Sequence, residues 1–246
     1  MSTNINAQLQ LIDSIEVNAS ISEVAIDEQS NLYFIENHQS LIKLKDRETI
    51  NHFSNHGFLS NLEVQSSLLI TVVSNQNQLL LLDSQLNPAQ DPIQLQTTNY
   101  ALNHVHVLDT NFLIAHDVFS HKIVQLNYQQ NNIINTSPIL TMLNFEEQIK
   151  NLIYTKNLIY LITNQHIYIF DEFLTFKNKH PFVTTNKIIP FGTNLIYDNQ
   201  NALYIWNLET QQSTKILEGD FTNFTANKSQ LFVQTNKVAY IYKLIN

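Results

Sequence analysis

The chain has no cysteine among its 246 residues, which excludes disulfides, thiol catalysis and cysteine-type zinc sites. Glycine is scarce, at three residues, and proline numbers five. Phosphate-cradling loops need closely spaced glycines, and neither GxGxxG, a Walker loop nor a GxSxG elbow occurs. No apolar run approaches the roughly 18 positions of a membrane-spanning helix. Residues 1–18 carry neither the basic nor the apolar region of a secretory signal, so a cytoplasmic chain without membrane attachment is expected.

Positive charge is the other thing in short supply. Residues 1–121 hold thirteen Asp/Glu against three Lys/Arg (Lys43, Lys45, Arg47), a net of 3 − 13 = −10. Residues 122–246 hold ten bases and eight acids, 10 − 8 = +2, which gives −8 overall. An acidic surface repels nucleic acid and speeds encounter with basic partners, although acids also serve simply to solubilise. A basic cluster with interleaved rings, Lys177, Lys179 and His180 between Phe176 and Phe182, is the one stretch suited to RNA, and the overall charge makes direct nucleic-acid binding an unfavoured reading.

What is abundant is Asn and Gln, set between short apolar runs where turns are needed. One unit recurs: a β-rich run, a sharp polar turn and a second β-rich run. It reads NLYFIEN-HQS-LIKLKD from Asn31, LLITVVSN-QNQ-LLLLDSQ from Leu68 and FLIAHDV-FSH-KIVQLNY from Phe112. It continues as LIYLITN-QH-IYIFDEF from Leu158, LIYDNQ-NA-LYIWNLE from Leu195 and LFVQTN-KVA-YIYKLIN from Leu231. Measured from Leu32, Leu68, Phe112, Leu158, Leu195 and Leu231, the spacings are 36, 44, 46, 37 and 36. The runs are short and rich in Ile, Leu, Val, Tyr and Phe, as strands are, and lack the capping boxes and period of helices. Runs apolar throughout fit strands covered on both faces.

Upstream of each hairpin lies another short strand candidate, such as EVAID, VHVLD and NLIYT, and downstream lies a fourth, such as PIQLQ and TKILE. Four strands per unit of about 40 residues is a propeller blade. The predicted fold is therefore all-β, one β-propeller domain of about six four-stranded blades. The blades are predicted to start near Ile21, Ser60, Ala101, Glu146, Thr184 and Phe221. The last copy lacks a fourth strand, which Gln8 to Val17 can supply, closing the ring and removing its edges. A Greek-key sandwich or a trefoil fits six near-equal copies less well.

The segment LYIWNLET resembles the WD40-type propellers, with Trp206-Asn207 standing where that family's Trp-Asp pair ends the third strand. Phe170-Asp171 and Leu82-Asp83 occupy related positions. The resemblance is one of fold and implies a propeller. The family's Gly-His pair is missing from every copy, so its His-Asp-Trp hydrogen-bond network does not carry over.

In such a fold the loop leading into each blade and the turn between its second and third strands share one rim, and loops on a rigid scaffold are where binding residues collect. Phe58, Tyr100, Phe145, Phe182 and Phe221 recur at the lead-in positions, spaced 42, 45, 37 and 39. They are either anchors for a protein partner or plugs for the core at strand starts. The same rim collects His38, His56, His121, His166 and His180. Partner-binding candidates are Phe58, Tyr100, Asp117, Phe119, His121, Phe145, Glu146, His166, Phe182 and Phe221. The third copy is the densest in His, with His104, His106, His116 and His121. His104 and His106, two apart on a strand, would share a face and are weak candidates for a channel metal such as zinc. No catalytic residue and no cofactor is predicted.

Three functions fit. The first is a non-enzymatic protein-binding propeller, for instance an acidic immunity protein or inhibitor that neutralises a basic toxin or enzyme, with a monomer favoured. The second is a structural subunit of an RNA-modifying or other multi-protein complex. The third is a propeller hydrolase or lyase with a channel metal.

Overall fold

The computed structural model describes residues 8–17, 20–66, 68–143, 147–182, 187–192 and 194–245. The chain folds as a single six-bladed β-propeller of four-stranded antiparallel sheets. The first blade is β2–β5 (Ile21–Ile26, Leu32–Glu36, Ser40–Lys45, Glu48–Ser54). The second is β6–β9 (Leu59–Ser66, Leu69–Ser74, Gln78–Leu82, Ile93–Gln94), and the third is β10–β13 (Leu102–Val107, Phe112–Asp117, Lys122–Asn127, Asn132–Thr136). The fourth is β14–β17 (Ile149–Thr155, Leu158–Thr163, His166–Asp171, Phe176–Pro181), and the fifth is β18–β21 (Ile188–Phe191, Asn194–Asn199, Ala202–Asn207, Ser213–Glu218). The sixth joins β22–β24 (Asn223–Ala226, Gln230–Gln234, Val238–Ile245) to β1 (Gln8–Glu16). β1 runs antiparallel to β24 from Gln8 opposite Ile245 to Glu16 opposite Val238, so the N-terminal strand completes the last blade. Of the predicted blade starts, Glu146 and Thr184 lie outside the described residues.

The residues form two compact units, Met1–Gln94 with Asn194–Ile196 and Asn201–Asn246, and Leu95–Thr193 with Tyr197–Gln200. In the first, Tyr33, Ile35 and Leu41 of the first blade pack on Leu59, Ile70, Val72 and Leu82 of the second. Val24, Ile26 and Phe34 meet Phe232 and Ala239 of the sixth, with the Phe34 and Phe232 rings 5.6 Å apart. In the second unit, Ile114 and Ile123 of the third blade pack on Leu152, Leu161, Tyr168 and Phe170 of the fourth. The middle strands are apolar on both sides because a neighbouring sheet covers each side: β3 is buried at Leu32, Tyr33, Phe34 and Ile35 in succession, whereas the outermost strand β5 buries none of its seven residues. Fully burying such a side chain is worth roughly 1.5–3 kcal/mol, so the uninterrupted apolar runs supply the main stabilising term.

The amides build the turns that glycine normally builds. A type I′ turn needs positive φ at both central residues, and Asn tolerates this better than most side chains. Here such pairs are Asn37-His38, Asp46-Arg47, Asn75-Gln76 and Lys156-Asn157, with φ between 50° and 70°. Where the third strand ends, the side chain aligned with the WD40 aspartate caps the turn that follows. Asp83 Oδ1 accepts from the Gln85 and Asn87 amides, Asp171 Oδ1 from Phe173 and Thr175, and Asn207 Oδ1 from Glu209 and Thr210. The WD-like dipeptides are thus turn caps, and Trp206 is a buried core ring.

The innermost strands β2, β6, β10 and β14 each carry a bulge near their start. In the first unit this joins neighbouring blades: the Glu23 carboxylate accepts the Asn61 and Leu62 amides at 2.7 and 2.6 Å, inside the bulge of β6. A bulge leaves backbone groups outside the ladder, and a carboxylate is a strong acceptor for them.

Candidate partner-binding rim

In the first unit the turn Asn37–Gln39 meets the loop leading into β6. The Leu59 amide donates to the His38 carbonyl at 2.6 Å, and the His38 ring stacks on Phe58 with centroids 4.2 Å apart and planes 15° from parallel. Phe58 is 45% exposed. Its amide donates to Asn75 Oδ1 at 3.0 Å, and the Asn75 amide donates to its carbonyl at 2.8 Å. Beside it a Cβ on Gly57 would sit 2.6 Å from the Asn75 amide group, so this position admits no side chain without moving Asn75.

In the second unit the turn after β11 is tied down by Asp117. Its Oδ1 accepts from the Ala101 and Phe119 amides at 3.0 and 3.2 Å, and its Oδ2 from the Ser120 amide and hydroxyl at 3.1 and 2.6 Å. Burial works against the charged carboxylate, but these donors outweigh it and hold its pKa below the usual range. The fixed turn presents Val118, 41% exposed, Phe119, 56% exposed, and then exposed His121.

The next blade builds a network that sequence reasoning did not find. Glu147, in the lead-in segment, accepts from Tyr168 OH at 2.9 Å and Lys179 Nζ at 3.3 Å, lies 2.7 Å from His166 Nδ1, and also binds the Thr163 hydroxyl. Burial raises the pKa of Glu147, and hydrogen bonds from Thr163, Tyr168, His166 and Lys179 overcome that and lower it. Lys179 lies 4.7 Å from the centroid of the Tyr168 ring. The lead-in segment and three strands, β15, β16 and β17, are joined here by one carboxylate. Thr163, Gln165 and His166 in sequence signal a side-chain-capped turn, since Thr163 Oγ1 takes the Gln165 and His166 amides. Nothing in the sequence ties that turn to Glu147.

The lead-in rings divide between the two roles open to them. Tyr100 is 4% exposed, its hydroxyl bonded to Asn131 Oδ1 at 2.5 Å, and Phe182 is 5% exposed, edge-on to Tyr197 at 4.8 Å. Both rings are buried in the manner of core plugs. Phe58 is displayed and Phe221 partly so. Phe145 and Glu146 lie outside the described residues.

His104 and His106 do not follow simple strand alternation. The register of β10 against β11 breaks between Asn103 and His106, and His104 takes φ +49°, so a bulge interrupts the alternation that would place the two rings on one face. Burial lowers the pKa of His104, and His106 lies 6.0 Å from the Tyr154 ring. His116, 8% exposed, pairs Nδ1 with Asn103 Oδ1 at 2.8 Å. Burial first, then the nearby His104 and His121, push its pKa down to about 4. Among the described residues no three His, Asp or Glu side chains gather closely enough to hold a metal ion.

No protein-family model matches the sequence, and no curated protein matches it either. Solved structures do. BamB from Moraxella catarrhalis is 12% identical with a TM-score of 0.56, over 96% of this chain and 99% of that one. The β-propeller domain of Cps50 (Swd1) from Myceliophteria thermophila is 13% identical with a TM-score of 0.63, over 92% of this chain and 83% of that one. Likeness at this identity is likeness of fold: the chain is a divergent propeller resembling the WD40 type.

Proposed function

We propose that this chain is a non-enzymatic binding propeller that captures a protein partner on lead-in loops and on the turns between second and third strands. The observation that carries this reading is Phe119, more than half exposed on a turn whose Phe119 and Ser120 amides are held by a buried carboxylate. A large ring in water is costly to leave uncovered, and a rigid turn spares a partner the entropy of ordering it. Phe58, displayed on His38 in the other unit, is a second ring held in the same manner.

The net charge of −8 supports a basic partner. Several of the acids concerned serve the fold: Glu23, Asp27, Asp83, Asp109 and Asp117 hold backbone amides, and Asp13 pairs with Arg47. Accepting a hydrogen bond from an amide leaves the carboxylate charged, so the long-range field persists while the local contacts are saturated. Such a field steers encounter more than it adds affinity. The finer form of the proposal is an inhibitor or immunity protein, cytoplasmic, that covers the working surface of a basic toxin or enzyme.

The test is affinity capture of the tagged chain from its native lysate at low salt, with release as salt rises, in parallel with the Phe119→Ser variant. A stoichiometric basic protein that is lost in the variant, and whose own activity falls when the chain is added back, is the expected result. Equal capture by the variant removes the rim from the proposal, and an activity that rises on binding replaces the inhibitor with a supporting subunit.

A further inference from the structure

The outer edge of the third blade carries no charge. Between Lys122 and Glu146 there is no Asp, Glu, Lys, Arg or His. The strand β13 lies in that stretch as the last of its sheet, with one side paired to β12 and no strand on the other among the described residues. Asn132, Ile133, Ile134 and Thr136 are exposed, the two isoleucines at 37% and 47%. Proteins protect such edges with charge, proline, shortness or a bulge. The outer strands of the other blades show the usual devices: Asp13 and Glu16 in β1, Glu48 in β5, Lys177 and Lys179 in β17, Lys215 and Glu218 in β21, and a length of two residues in β9. β13 has only a bulge at Ile134, of the kind also found where β4, β16 and β20 meet their charged outer strands.

We propose that β13 is a self-pairing edge, on which a second copy of this chain adds its own β13 in antiparallel register across a two-fold axis. The sequence of the strand is its own complement. A two-fold axis between Ile133 and Ile134 sets Asn132 opposite Asn135 and Ile133 opposite Ile134 of the second copy, so apolar faces apolar and amide faces amide. Charge selects the same occupant. Two copies at −8 each repel wherever their charged surfaces meet, and this neutral edge lets backbones approach without opposing carboxylates or ammonium groups. Phe173, 68% exposed, adds apolar surface beside the strand, where Asn135 Nδ2 donates to its carbonyl at 3.1 Å. A contact of one short bulged strand is small, so the pair is weak and reversible.

Sedimentation velocity of the full chain over a hundredfold range of concentration tests this, at low and at high salt. The wild-type protein is expected to dimerise as concentration rises, and more readily at high salt, because screening removes repulsion and the edge itself has no charge to lose. That dependence is opposite in sign to the one expected for capture of a basic partner, so the two proposals fail separately. Ile134→Lys and, independently, Asn132→Glu are expected to weaken association at least tenfold. Ile50→Lys, at an equally exposed isoleucine on β5, should leave it unchanged. All three positions are exposed, and unchanged melting curves confirm folding. A wild-type chain that is monomeric throughout overturns the proposal. So does association that survives both β13 variants, that is lost equally in Ile50→Lys, or that requires another protein.

Discussion

The His38 ring lies flat against Phe58 at 4.2 Å, with the imidazole on a turn of the first blade and the phenyl ring in the loop leading to the second. The stack fixes the orientation of a ring that is nearly half exposed, and a fixed aromatic is what binding hot spots favour. Phe58→Ala is expected to weaken partner capture about tenfold or more with little loss of stability, whereas His38→Ala should weaken it less by freeing the ring. Titration calorimetry against the captured partner checks both. Equal affinity for wild type and Phe58→Ala removes this ring from the interface.

Asp117 is 2% exposed and serves four donors, so its loss should be felt in the fold. Asp117→Ala leaves the Ala101, Phe119 and Ser120 amides without their acceptor, at a cost of about 2–4 kcal/mol. Phe119→Ser should cost well under 1 kcal/mol, since the ring is already in water. Urea titrations of the two variants separate turn from ring. The rim reading requires the variant of the small stability effect to be the one that loses the partner.

Two substitutions probe how this glycine-poor chain makes its turns. Gln76 is exposed at φ +65°, beside Asn75 at +51°, where Asn-Gly is the preferred pair. Gln76→Gly should stabilise by about 0.5–1 kcal/mol, the relief of left-handed strain less the added freedom of the unfolded chain. Gly57→Ala should destabilise instead, because its methyl group meets the Asn75 amide that holds Phe58. Thermal melts that shift in the same direction for both variants would contradict this account.

The blades were legible because burial on two faces leaves uninterrupted apolar runs, such as Leu32 to Ile35 and Leu158 to Ile162, at intervals of 36 to 46 residues. The N-terminal strand could be placed because the last copy was one strand short. The WD-like dipeptides were legible as strand ends, with their capping role hidden until Asp83, Asp171 and Asn207 were seen to hold the amides that follow. The rim was harder. Phe58 and Tyr100 occupy the same position in the repeat, and one is displayed while the other is buried, since only the neighbouring side chains decide. His104 and His106 lie where strand alternation, which assumes a regular strand, does not hold, and a bulge is invisible to spacing. Glu147 was missed because its four partners come from three strands, β15, β16 and β17.

Acid should weaken the fold in two stages. His116 is buried and its pKa falls from 6.5 to about 4, so the unfolded chain takes up its proton first as pH drops. The stability this group contributes is complete above pH 6.5, declines through the interval down to about 4 and is gone below it, a loss on the order of 2 kcal/mol after allowance for solvent screening. Asp117 and Glu147 follow. Their pKa values are lowered by the donors around them, so their contribution is complete above the ordinary values of 3.8 and 4.5 and is lost only as pH falls further. His116→Asn should therefore flatten the stability curve between pH 6.5 and about 4 and leave the steep loss at lower pH intact. Urea unfolding at half-unit steps of pH measures both stages. A variant whose curve still parallels the wild type between pH 6.5 and 4 would place the upper stage on another histidine, with His104, also lowered by burial, the next to replace.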